Sequence, residues 1–294
     1  TATVTVAGTG NYTGTQDKAF AIAKATLTVT PDANQSKTFG DADPALTYQS
    51  SGAVAGETPE FTGALSRAPG EDAGEYDILV GNLALVDNAP FLAANYTLAF
   101  TLGIEFSIGK AASTVAATGT TACTYTGVGQ GPDTADATGS AGAVTYSYSG
   151  TGGTTYGPSA DKPSAAGTYQ VVATVAADAN HEGAVSAPLA FSIAKAVLTV
   201  TPDADQSKTF GEDDPVLAYT HSGAVAGETP LFAGTLSRAP GEDAGTYAIL
   251  VGTLVLADNG VFKAANYTLA FTPGVTFSIG KAASTVAATG TTAC

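Results

Sequence analysis

The sequence predicts an all-β protein: small β-sandwich domains in tandem, set end to end as an extended rod. Three observations carry this. A seam of the form Phe-x-Ile-x-Lys-Ala occurs four times, at Phe20, Phe106, Phe191 and Phe277, with steps of 86, 85 and 86 residues. Phe and Ile two apart lie on one face of a strand, because successive side chains alternate. Each seam therefore reads as the last strand of a domain, with its apolar face in the core. The next strand begins almost at once, as Leu27-Thr28-Val29-Thr30 after the first seam and Leu198-Thr199-Val200-Thr201 after the third. Joints without a Gly/Ser-rich or Pro-rich spacer are stiff. Finally, no long helical period appears anywhere.

The period sets the domains. Lys24–Cys123 aligns with Lys195–Cys294 without a gap, with 22 differences over 100 positions. The repeat is thus a pair of dissimilar modules, each of ordinary small-domain size. The expected boundaries are 1–24, the tail of one module; 25–110, a first repeat; 111–195, a middle module; 196–281, the second repeat; and 282–294, the first strand of the next module. A chain that opens inside a domain is expected to be a piece of something longer.

Alternation and β-branched residues place the strands of the first repeat at 27–30, 37–39, 46–48, 63–67, 75–80, 83–86, 96–101 and 105–108. Turn residues separate them: Pro31-Asp32, Gly40-Asp41, Asp43-Pro44, Pro69-Gly70 and Asp87-Asn88. The stretch 54–61 is poor strand material and is expected to hold one helical turn, which leaves a β-grasp variant open for this repeat. The middle module has strands at 113–116, 144–148, 167–175 and 189–193, a loose Thr/Gly/Ala region from 118 to 142, and a glycine-rich hairpin loop at 150–157.

Composition narrows the function. The net charge of −15 repels phosphate backbones and anionic membrane surfaces, so nucleic acid is excluded as a partner. No apolar run approaches the ~20 residues that span a bilayer, so no membrane insertion is expected. Cys123 and Cys294 occupy the same place in the repeat. In a linear string they lie two domains apart, far beyond the ~7 Å that a disulfide tolerates between Cα atoms. They read as buried thiols. The alternative is an intermolecular disulfide between neighbouring chains.

Both module types share Ala-Gly-x-Tyr before an apolar strand, at Tyr76, Tyr169 and Tyr247. Immunoglobulin-like (Ig-like) sandwiches place a tyrosine corner there, the hydroxyl bonding back to the main chain. Two residues on, where antibody domains carry a cysteine, this chain has Ile78, Val171 and Ile249.

The run from Ser36-Lys37-Thr38-Phe39-Gly40 through Asp43-Pro44, then Leu65-Ser66-Arg67-Ala68-Pro69-Gly70-Glu71-Asp72-Ala73-Gly74-Glu75-Tyr76, Ala94-Asn95-Tyr96-Thr97-Leu98 and the seam, resembles the MBG-type (YGX-type) repeat domain of large bacterial surface proteins. The second copy carries Lys208-Thr209-Phe210-Gly211 and Leu236-Ser237-Arg238-Ala239-Pro240-Gly241-Glu242. Phe39 and Phe210 stand where that family usually has Tyr. The middle module is similar to the Ig-like repeats that accompany MBG domains, through Thr124-Tyr125-Thr126-Gly127, Ala166-Gly167-Thr168-Tyr169 and Asp178-Ala179-Asn180-His181. The resemblance implies an extracellular, cell-surface location and the role of an adhesin stalk or fibre. It transfers no catalytic residue.

The residues themselves offer little chemistry. His181 and His221 lack metal-ligand spacing and read as solvated loop residues. There is no nucleophile elbow and no phosphate loop, so no enzyme and no cofactor is expected. Asp41-Ala42-Asp43 and Glu212-Asp213-Asp214, with Asp32 and Asp203, raise structural calcium, but turn-forming Asp explains them more simply. A Lys–Asn isopeptide staple at Lys37 or Lys208 has no partner that the sequence identifies. Asn11, Asn34, Asn95 and Asn266 begin Asn-x-Ser/Thr sequons and read as turn and strand residues. The leading function is structural, with neighbouring copies or a host or matrix surface as partner. The alternative is a glycan- or mucin-binding module, using Tyr125, Tyr146, Tyr148 and Tyr156 as a platform.

Overall fold

The computed structural model describes residues 1–287; the expected strand at 282–294, and Cys294 with it, runs beyond the described residues. Strands account for almost all regular structure, and the helical pieces among the described residues are two short 3-10 turns, Ala93–Asn95 and Ala264–Asn266. The chain divides into two compact units. The first comprises Thr1–Thr114, Thr138–Ala143 and Val175–Ala184; the second comprises Val115–Ala137, Val144–Thr174 and the described residues from Val185 onward. The middle module thus contributes segments to each.

In the first unit, the first repeat is a sandwich of two small sheets. One has the order Tyr96–Phe100, Ala25–Pro31, Tyr48–Ser51; the other runs Ser36–Thr38, Glu105–Gly109, Gly74–Leu79, Ser66–Arg67. Each sheet mixes parallel and antiparallel pairs. Leu98 lies beside Leu27, and Ile108 beside Lys37, in parallel register. Alternation delivers the core as expected: Leu27 and Val29 from one sheet, Ile78, Phe106 and Ile108 from the other, are all buried. The N-terminal hairpin Ala2–Ala7/Thr15–Phe20 precedes the sandwich, and its seam residues Phe20 and Ile22 are exposed.

The helical turn expected at 54–61 is not there. Gly56 has φ +88, and Glu57 N–H donates to the Val54 carbonyl at 3.0 Å, so the chain makes a tight turn and enters the strand Glu60–Thr62. That strand pairs with Ala84–Val86. No α-helix among the described residues covers a sheet, and the β-grasp variant falls with it.

In the second unit, the second repeat reproduces the same sheets: Tyr219–Ser222, Ala196–Pro202, Tyr267–Phe271, and Ser207–Thr209, Thr276–Gly280, Gly245–Leu250, Ser237–Arg238. The middle module contributes a sheet ordered Ala122–Thr124, Leu189–Ala194, Gly167–Val175, Val144–Thr151. The region read as loose, 118–142, holds two strands, Ala122–Thr124 and Thr134–Thr138. Their Ala and Thr side chains carry too little apolar contrast to announce them. Register comes from the partner strand, with Cys123 beside Ile193.

A single residue, Lys195, separates the strand Leu189–Ala194 from Ala196–Pro202. The core does not stop there. Tyr125, Tyr148, Tyr169, Phe191 and Ile193 of the middle module form one buried cluster with Ala196, Leu198, Phe262 and Tyr267 of the second repeat. In the first repeat the counterparts Leu27, Phe91 and Tyr96 form a separate, small cluster.

The three Ala-Gly-x-Tyr hydroxyls each reach back four residues. Tyr76 donates to the Asp72 carbonyl at 2.8 Å, Tyr169 to Ala165 at 2.8 Å and Tyr247 to Asp243 at 2.7 Å. Gly70 and Gly241 close these corners at φ +146 and +140, where an added Cβ would lie 2.3 Å from the Tyr76 or Tyr247 ring. Gly70→Ala is therefore expected to destabilise the first repeat by about 2 kcal/mol, through backbone strain and a displaced ring. Urea unfolding followed by tyrosine fluorescence checks this.

Candidate functional site

Three arrangements stand out. They were invisible as chemistry in the sequence because their members lie far apart along the chain.

One is a charged quartet in each repeat. Lys37, on the strand Ser36–Thr38, and Arg67, on Ser66–Arg67, have side chains only 3% and 7% exposed. Arg67 grips Asp43 with two nitrogens, Nε to Oδ2 at 2.7 Å and Nη2 to Oδ1 at 3.0 Å. Lys37 Nζ bridges Asp43 at 2.6 Å and Glu71 at 2.5 Å, and Arg67 also reaches Glu71 at 2.6 Å. The guanidinium carbon lies 5.1 Å from the Tyr76 ring centroid and 5.6 Å from that of Phe106. Cation–π attraction and the fork-shaped donor set suit Arg to this place. Lys208, Asp214, Arg238 and Glu242 repeat the arrangement in the second repeat.

The electrostatics are those of an ion-pair clamp. Hydrogen bonds from Arg67 and then Lys37 hold the Asp43 carboxyl down at about 2, and Asp43 and Glu71 push the Lys37 ammonium up. A Lys–Asn isopeptide needs a neutral lysine amine to attack an asparagine carboxamide; the clamp stabilises the Lys37 ammonium and faces it with Asp43 and Glu71. It also engages Asp43 and Asp214, two of the acidic turn residues considered for calcium, and no cluster of three or more metal-ligating residues forms among the described residues.

A second arrangement joins the first repeat to residues of the middle module, wholly inside the first unit. Asp178 acts as a cap: its carboxylate accepts from the backbone N–H groups of Ala141, Asn180 and His181 at 2.8, 2.9 and 2.7 Å. These bonds, led by that from Ala141, hold its carboxyl well below the usual range. The loop so fixed presents Asn180, whose Oδ1 accepts from Ala73 N–H and whose Nδ2 donates to Asp72, both at 2.8 Å. Lys110 Nζ donates to the Asp178 carbonyl at 2.7 Å. His181 is not a solvated loop residue: its ring packs edge-on against Phe39 at 5.2 Å. His221, in the second repeat, is exposed on a strand and tilts over Phe232 at 5.3 Å.

The third arrangement joins the middle module to the second repeat, wholly inside the second unit. Tyr125 is buried; its hydroxyl donates to Glu228 Oε1, and its ring meets Tyr267 edge-on at 5.4 Å. Tyr267 donates to the other oxygen of Glu228 at 2.8 Å and accepts from Val225 N–H at 3.0 Å. Asn266 is buried and takes the Ala166 N–H at 3.0 Å. Burial, then the Glu228 carboxylate, pushes the Tyr125 hydroxyl up to about 12, so it remains a donor across the physiological range. Tyr125→Phe removes one charge-assisted bond from a half-buried carboxylate. The expected loss is about 2 kcal/mol of second-unit stability, read as a lower denaturant midpoint with unchanged slope.

The remaining expected sites fall as follows. Cys123 is a half-buried free thiol packed on the Tyr125 cluster, and Cys294 lies outside the described residues. Of the proposed sugar platform, Tyr125 and Tyr148 are buried; Tyr148 donates to the Pro132 carbonyl at 2.7 Å and Tyr156 to Asp161 at 2.7 Å. Tyr146 and Tyr156 pack against the same core. Asn34 sits in a turn at φ 62, while Asn95 and Asn266 end the two 3-10 turns. No helix among the described residues is long and apolar enough to cross a membrane.

No curated protein and no solved structure matches the chain. The family model described as MBG domain (YGX type) matches residues 27–107 and 198–278, more than half of the sequence, so this chain belongs to the MBG domain family.

Proposed function

We propose that the chain is a structural repeat region of an extracellular bacterial surface protein, alternating MBG domains with Ig-like modules as an adhesin stalk or fibre. The product of the fold is then reach and stiffness, and no catalytic role belongs to it. The observation that carries the reading is the core shared by the middle module and the second MBG domain, in which Tyr125 links one set of aromatic residues to the other. A joint with its own buried core resists bending in the way a domain resists unfolding.

The Tyr76, Tyr169 and Tyr247 bonds support the reading of all three modules as sandwiches with tyrosine corners. Neighbouring copies of the chain or a host or matrix surface are the partners this role requires. In a multichain fibre, Cys123 and Cys294 are the candidate lateral cross-links. The experiment is small-angle scattering on the 294-residue chain. A thin rod of roughly 110–140 Å is expected from ~3.3 Å per residue along the strands. A globule with its modules folded back on one another overturns the proposal. A glycan array run on the same chain tests the alternative: saturable binding would move the function to recognition.

A further inference from the structure

The two MBG domains carry the same joint residues in different surroundings. In the second, Val225, Glu228, Asn266 and Tyr267 receive Tyr125. In the first, the counterparts are Val54, Glu57, Asn95 and Tyr96, with identical residue types. Their internal bonding is already complete: Val54 N–H donates to the Tyr96 hydroxyl at 2.9 Å, and that hydroxyl donates to Glu57 Oε2 at 2.6 Å. The Phe91–Tyr96 stack at 4.8 Å matches the Phe262–Tyr267 stack at 4.9 Å.

What differs is the cover. A hollow of about 480 Å³ opens over Val54, Glu57, Asn95 and Tyr96. Val54 is 53% exposed and Asn95 is exposed, whereas Val225 is packed against the Tyr125 cluster and Asn266 is only 7% exposed. Glu57 Oε1, the counterpart of the oxygen that takes the Tyr125 hydroxyl, has no hydrogen-bond partner among the described residues. Ile22 and Ala23 line the hollow, and residues 21–23 have no ladder partner among the described residues, while their counterparts at 192–194 pair with Ala122–Thr124.

We propose that this hollow is a preformed docking socket for the tyrosine-bearing strand of an Ig-like module, of the chemistry of Thr121–Gly127. The tyrosine hydroxyl donates to Glu57 Oε1, its ring meets Tyr96 edge-on, and the strand adds in parallel to residues 21–23. The inference rests on the reading of the chain as welded MBG and Ig-like modules. It adds that the MBG domain holds its end of the weld ready before the neighbour arrives. Glu57 is the recognition residue, since its second oxygen is placed to accept the tyrosine hydroxyl, a bond that a phenylalanine cannot offer.

The test uses the whole chain, labelled with nitrogen-15, and a blocked peptide of the Thr121–Gly127 sequence carrying Cys123→Ser. Saturable amide shifts are expected at Val54, Glu57 and Tyr96, with one peptide bound per chain. The same peptide with Tyr125→Phe is expected to bind about tenfold more weakly, the loss of one hydrogen bond to a charged group. In a Glu57→Gln chain, whose spectrum reports its folding, that difference between the two peptides should shrink, because the remaining acceptor is neutral. Absence of shifts around the hollow overturns the proposal, and so does equal binding of the tyrosine and phenylalanine peptides to the unaltered chain. Because the readout is local, failure here leaves the scattering test of the stalk untouched, and a folded-back chain would not by itself abolish the shifts.

Discussion

Phe191→Ala is expected to cost the second compact unit about 4 kcal/mol, the usual range for deleting a buried aromatic ring. Phe191 is almost fully buried, stacks on Tyr169 at 5.4 Å and receives Tyr148 edge-on at 6.2 Å. Gly131 also approaches the ring, where an added Cβ would lie 2.7 Å from it, so the surroundings are closely packed. For a unit of this size the loss corresponds to a Tm lower by roughly 8–16 °C. The more telling result is where the protein loosens. Phe191 belongs to the cluster that includes Ala196, Leu198 and Tyr267 of the second MBG domain. Hydrogen exchange should therefore quicken in the strand Ala196–Pro202 as well as in Leu189–Ala194. The equivalent seam change Phe106→Ala strikes a cluster drawn from the first MBG domain alone, and its effect should remain there. If Phe191→Ala leaves exchange in Ala196–Pro202 unchanged, the shared core does not couple the modules.

The parts of this molecule that the sequence discloses are those governed by the period-2 pattern. Phe106 and Ile108, or Phe277 and Ile279, fall on the buried face because alternation alone puts them there. The tyrosines of Ala-Gly-x-Tyr are equally readable, since the hydroxyl's acceptor lies only four residues back. The joints are another matter. Tyr125 and Glu228 are separated by 103 residues, and Asn180 and Asp72 by 108. Nothing local distinguishes Glu57 or Glu228 from an ordinary surface carboxylate. The one available trace was Asp178-Ala179-Asn180-His181, where an Asp two and three residues before Asn and His is a cap in waiting. The strand Thr134–Thr138 was equally silent, and the helical turn was placed at 54–61 rather than at 93–95, because Gly56 and its positive φ decide the turn. The MBG motif was visible as a string of letters. Its physical content, two cations and two carboxylates locked under an aromatic pair, emerged only when four strands and turns met.

That content makes a sharp and asymmetric prediction. Removing both carboxylates of one quartet, Asp43→Asn with Glu71→Gln, leaves Lys37 and Arg67 charged, buried and unpaired. The expected result is a lower urea midpoint, moderated because the carboxylates face water at 44% and 72% exposure and part of their attraction is screened. Lys37→Met, in contrast, removes a charge with a covered side chain and leaves carboxylates that water can solvate, so its urea midpoint should fall less than that of the double variant. Acid should reproduce the first result. The folded-state carboxyl of Asp43 is held at about 2 by Arg67 and then Lys37, and that of Glu71 is lowered by Lys37 and then Arg67. A depressed folded value means stability that is present above the unfolded value, about 4, and lost as the pH falls through the folded one. The first MBG domain should therefore weaken between about pH 4 and pH 2, and the Asp43→Asn/Glu71→Gln chain should weaken less across that window. Urea midpoints measured at pH 7, 4 and 2.5 for the three chains decide the matter: parallel pH profiles, or a Lys37→Met cost equal to that of the double variant, would mean that the quartet is a surface ornament rather than a clamp.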